Sequence, residues 1–131
     1  MNYFRHLISC YPFSLLCLAA IWYLCLLINI PETPMDDVPF IDKWTHLVMY
    51  GGTTSVIWWE YLRCHDCLVG WKLVLLAFLG PILMSGLIEL LQAYATTTRS
   101  GEWLDFAANT LGVCLGNVVG LLLRRLNTCK M

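Results

Sequence analysis

The sequence predicts an all-α, polytopic membrane protein: one domain over residues 1–131, four transmembrane helices, and both termini on the cytoplasmic side. Three observations predict it. Hydrophobic residues make up 59% of the chain and charged residues 13%, about half the charged share of an ordinary soluble domain. The charges are placed so that four long stretches contain almost none, and the cost of a charge in hydrocarbon makes such gaps the marks of spans. A chain of 131 residues accommodates four helices of about 20 residues with short connections. That leaves no room for a separate soluble catalytic or nucleic-acid-binding domain. Barrel strands are excluded because they need about ten residues of alternating polarity, and these stretches are apolar on every side.

Leu7 to Pro31 carries no charge. The first helix is expected over 13–30, with Pro12 in its opening turn, where a missing N–H costs nothing, and Pro31 closing it. Arg5 ahead of an apolar run also fits a secretory signal, but the run is long for one and no small-x-small cleavage site follows, so it reads as an uncleaved anchor. The second span is expected over 44–62, with His46 and Glu60 near its ends. The third, over 73–94, is interrupted only by Glu89, and its Gly80-Pro81 pair is expected to kink it or loosen its hydrogen bonding. The fourth runs over 103–123.

The net charge of −1 from eight basic and nine acidic residues points to no polyionic partner, and the information lies in the distribution. Arg5, Arg63, Lys72, Arg124, Arg125 and Lys130 fall on one side of these spans, and Lys43 and Arg99 on the other. Basic residues favour the cytoplasm, so the side with six is read as inner. The outer side is acidic, with Glu32, Asp36, Asp37, Asp42, Glu102 and Asp105. None of the seven cysteines falls in an outer loop, which argues against a disulfide framework. Cys64-His65-Asp66-Cys67 has the spacing of half a zinc or redox site without a second half.

The polar residues that a bilayer must explain gather at the outer ends of spans two, three and four. Asp42, His46 and Tyr50 recur every fourth residue, with Lys43 beside them; Ser85, Glu89 and Gln92 follow at four and three; Asp105, Asn109, Gly112, Gly116 and Gly120 form one stripe. Glu89 lies a turn or more below the boundary near Tyr94, so its carboxyl is expected to face inward with His46 or Arg99 as counter-charge. The same facts fit a functional site and a structural polar clasp between helices. The glycines are expected to pack the fourth span closely against its neighbours. No metal or cofactor is expected, because the histidine and carboxylates lack a compact two-ligand spacing such as H-x-x-x-H.

Three blocks carry a family resemblance: Asp42-Lys43-Trp44-Thr45-His46-Leu47-Val48-Met49-Tyr50, then Glu89 with Gln92, then Arg99 through Asp105 to Asn109, Gly112 and Gly116. Over residues 42–116 the chain resembles the VanZ-like family of small bacterial membrane proteins, with its D-K-x-x-H-x-x-x-Y, E-x-x-Q and R…D-x-x-x-N-x-x-G-x-x-x-G pattern. The resemblance implies a multi-pass protein of the bacterial cytoplasmic membrane, in a family named for resistance to the lipoglycopeptide teicoplanin.

Two readings of the outer residues follow. In the first, Asp42, Lys43, Tyr50, Gln92, Arg99 and Asn109 help bind membrane lipid, a lipid-linked envelope precursor or a lipoglycopeptide around His46, Glu89 and Asp105. In the second, His46 and Glu89 act as an acid/base pair on such a substrate, Asp105 orients the histidine and Arg99 holds an anionic group. A transporter lacks a continuous polar path unless a homo-oligomer builds one. Nucleic-acid binding is not expected, since the positive-inside rule accounts for the basic residues.

Overall fold

The computed structural model describes residues 2–26, 41–65, 70–94 and 103–128, and every regular element among them is helical. The order is α1 (Tyr3–Cys10), α2 (Pro12–Leu26), α3 (Ile41–Cys64), α4 (Gly70–Val74), a π-helical turn (Leu75–Leu79), α5 (Gly80–Tyr94) and α6 (Trp103–Thr128). Two continuous helices are long and apolar enough to cross a membrane, Gly70–Tyr94 and Trp103–Leu126. By length and composition, such helices are the mark of a membrane protein. A third crossing is available if α1 and α2 form one span, although their axes differ by 87°.

Of the expected first span, residues 13–26 are helical and belong to α2. Its described part, α2, has 15 residues, about 22 Å of helix against a hydrocarbon layer of about 30 Å, and the expected continuation over 27–30 lies outside the described residues. The expected second span corresponds to α3, whose 24 residues are long enough but whose composition is less apolar than that of the other two. The reason is location. His46, Thr53, Thr54 and Glu60 are all buried, because α3 runs against α2, the π turn and α6 and spends its polar side chains on them.

The break at Tyr11 and the bend after it have a local cause. Pro12 cannot donate, and the next amides of α2 are orphans of a helix start. Glu60 of α3 satisfies them: its carboxylate accepts Phe13 N–H and Ser14 N–H, each at 2.9 Å, and the Ser14 hydroxyl at 2.5 Å. A fully buried carboxylate thus sits on the positive end of a helix dipole.

Gly80-Pro81 acts one turn earlier than its position in sequence. Gly80 N–H bonds back to Leu75 C=O, closing the π turn. Pro81 has no N–H for the carbonyl of Ala77 four residues before it. Asn117 of α6 supplies the missing donor at 3.0 Å, while its side-chain oxygen accepts the Trp58 indole N–H at 2.8 Å. One amide therefore ties α3 and the π turn to α6.

The closest helix contact is between α3 and α6. A Cβ on Gly51 would lie 3.1 Å from Gly112 O, and one on Gly116 would lie 2.6 Å from Thr54 Cβ and 2.7 Å from Gly51 O. Gly120 lies against the Trp58 ring. Small residues let the two backbones approach, which draws the start of α6 beside the start of α3. Tyr50 and Val113 fill the core between them, together with Ile21, Cys25 and Ile88 from α2 and α5.

Candidate functional site: a buried histidine–carboxylate cluster

With α3 and α6 held together at their N-terminal ends and α5 ending beside them, His46 of α3, Glu89 of α5, and Asp105 and Asn109 of α6 come into one group. His46 and Glu89 are each 8% exposed, Asp105 9% and Asn109 1%. One donor atom from each of His46, Glu89 and Asp105 lies within 4.8 Å of the others. Asp105 stands in the first turn of α6, where a carboxylate is favoured by the helix dipole.

Second-layer contacts set the orientation. Asn109 donates its amide N–H to Ser85 Oγ at 2.8 Å, which turns its carbonyl oxygen to His46 Nδ1 at 3.0 Å. An amide oxygen only accepts, so Nδ1 carries the proton in this contact. The other ring nitrogen, Nε2, faces Asp105 Oδ2 at 4.0 Å, and Lys43 Nζ lies 3.0 Å from Asp105 Oδ1. In formal charges the group holds two carboxylates, one ammonium and an imidazole.

The structure thus brings together Lys43, His46, Ser85, Glu89, Asp105 and Asn109. Tyr50 lies a turn below His46, fully buried, its hydroxyl beside Ser85 and Glu89 without a hydrogen bond of proper geometry. Gln92 donates to Cys25 C=O of α2 at 2.8 Å and so joins α5 to α2. Arg99 and the side chain of Asp42 lie outside the described residues, so Glu89 meets His46, one of its two expected counter-charges, within the described part. Two groups face the ring of His46: Asp105, the expected orienting residue, lies 4.0 Å from Nε2, and Asn109, one turn further along the same stripe, hydrogen-bonds Nδ1. The other oxygen of Asp105 pairs with Lys43.

Two polar anchors escape a reading of the sequence. Glu60 looks like an interfacial residue at the end of an apolar run, and nothing local marks its partner as the start of α2. Asn117 sits next to Gly116 in the glycine stripe, and its signal is the donor vacancy that Pro81 must create on a neighbouring helix.

No family model, curated protein or solved structure matches this chain. Its class rests on its own features: a helical membrane protein with a buried histidine–carboxylate cluster at one end of its bundle.

Proposed function

We propose that the chain is a VanZ-like protein of the bacterial cytoplasmic membrane, with four spans and both termini inside, whose cluster at the outer end binds a lipid-linked envelope precursor or a lipoglycopeptide. The observation that carries this reading is convergence. His46, Glu89, Asp105 and Asn109 come from the three separate sequence blocks of the family pattern, and they meet in one cluster of the fold. The four-span topology rests on the charge distribution along the sequence: six basic residues flank the expected inner ends of the spans and two the expected outer ends. In this arrangement α3 crosses as an inner helix, with its polar side chains turned to its neighbours.

A ligand with an acyl chain enters such a site from the lipid side, its chain along the exposed Trp44 and Leu104 and its polar part over Lys43 and Asp105. The site then favours lipoglycopeptides over vancomycin, which has no acyl chain. A second reading is favoured by the ring nitrogen that faces Asp105 at 4.0 Å with Glu89 close by. A histidine fixed on its far side by Asn109 is set up to take or give a proton at Nε2, as an acid/base enzyme acting on an envelope lipid requires.

The binding reading is tested by expressing the chain in a sensitive Gram-positive host and measuring teicoplanin and vancomycin susceptibility, with membrane levels checked. Wild-type protein raises the teicoplanin threshold selectively, and His46→Ala/Glu89→Ala at the same level does not. Equal protection against both drugs, or none, contradicts it. The enzyme reading requires a changed lipid or precursor species by mass spectrometry, lost in His46→Gln.

A further inference from the structure

We propose that His46, Glu89 and Asp105 hold a single divalent metal ion of the zinc–manganese class, with Lys43 occupying part of its charge when the ion is absent. The inference goes beyond the ligand reading above and does not depend on it, since it uses only the geometry of the cluster.

Sequence spacing argues against a metal because no two ligands stand one turn apart on one helix. Tertiary packing removes that objection: the three donors come from three helices and lie within 4.8 Å of one another. Metal–ligand distances of about 2.1 Å set tetrahedral donors about 3.4 Å apart. Small side-chain rotations close the 4.0 Å between His46 Nε2 and Asp105 Oδ2 to that value.

The histidine is already oriented as a metal ligand would be. Nδ1–H is engaged by Asn109, itself held by Ser85, which leaves Nε2 as the ring atom that faces the carboxylates. Histidine ligands characteristically donate their second N–H to an oxygen in this way, which fixes tautomer and ring plane. A lone pair facing carboxylate oxygen is repulsive unless a cation stands between, either a proton or a metal ion.

An independent sign comes from beneath the cluster. Tyr50 is 1% exposed, and its hydroxyl lies beside Ser85 and Glu89 without a hydrogen bond of proper geometry. A phenol in an apolar core keeps such an orphan position at a cost. An ion with a bound water above it gives that hydroxyl an acceptor. One nitrogen and two carboxylate oxygens suit zinc or manganese, and three protein ligands leave a coordination position open.

The test uses the full chain in detergent micelles, stripped with chelator and titrated with Mn²⁺, which avoids the thiols; the free-ion EPR signal reports occupancy. Wild-type protein binds about one ion per chain, and His46→Ala and Glu89→Gln each weaken binding at least about tenfold. Lys43→Gln, which removes the competing ammonium, binds no more weakly than wild type. Pulsed EPR on the wild-type complex shows imidazole nitrogen coupling that persists in His6→Gln/His65→Gln, so the assignment is readable even where a cluster variant folds poorly. No bound ion, coupling that vanishes with His6 and His65, or folded cluster variants that bind as wild type would each overturn the site. None of these readouts involves an antibiotic, so failure here and failure of the ligand reading are separate results.

Discussion

Among the described residues, two buried carboxylate sites lie at opposite ends of α3, and they are built differently. Glu60 is held tightly: two backbone amides and the Ser14 hydroxyl approach it at 2.5–2.9 Å. Three of a carboxylate's roughly four acceptor positions are thus engaged in holding α2 to α3. Around His46 the separations are looser, 4.0 Å to Asp105 Oδ2 and up to 4.8 Å within the trio, while the second layer of Asn109 and Ser85 is tight. Asn109 and Ser85 thus hold the ring in place, while the carboxylates stand far enough from Nε2 to leave space between them. The comparison therefore separates a clasp from a candidate site by geometry, where residue type alone makes them look alike.

The largest effect should come from the Glu60 end. Glu60→Leu strands two amides and a hydroxyl, each costing about 1–3 kcal/mol when buried without a partner, so thermal unfolding in detergent should report a loss of about 3 kcal/mol or more. A loss near zero would show that the α2 start is satisfied otherwise. Next comes Gly116→Leu, whose side chain has no room between Thr54 and Gly51 O; overpacking of this kind costs about 1–3 kcal/mol, and by parting α3 from α6 it should also loosen the cluster. Asn109→Ala removes the acceptor of His46 Nδ1–H and the donor to Ser85, a cost of about 1–2 kcal/mol, with metal affinity falling further than stability. Asn109→Asp keeps an acceptor for the ring and should recover part of that affinity. Smallest is Glu89→Gln, expected within about 1 kcal/mol of wild type by the same melt, because groups arranged for a ligand are commonly not arranged for stability. Equal destabilisation by Glu89→Gln and Glu60→Gln would break the comparison.

The cluster was legible because each helix marks its share by spacing: His46 and Tyr50, Ser85 and Glu89, Asp105 and Asn109 are each one turn apart on a single face. The glycine stripe and Gly80-Pro81 were legible for a similar reason, since each has a backbone consequence wherever it stands. Which member of a face meets which partner was not legible. Asp105 and Asn109 differ by one turn on one stripe, and only the depth at which α6 slides against α3, set by Gly112 and Gly116 contacts, decides that Asn109 reaches the ring. Glu60 is the clearer failure of local reading: its role depends on an 87° bend at Tyr11 that places the start of α2 beside it, and on the chain leaving those amides unpaired. The weak apolar signal of α3 has the same origin, because a central helix can carry polar residues that its neighbours satisfy.

The central claim is that the His46 end is a site and the Glu60 end a clasp. It is tested most directly by the selective teicoplanin shift, relative to vancomycin, in cells carrying Glu89→Gln or Glu60→Gln at matched membrane levels. The account predicts that the shift is lost in Glu89→Gln and kept in Glu60→Gln; a shift that survives in Glu89→Gln, or is lost equally in both, contradicts it.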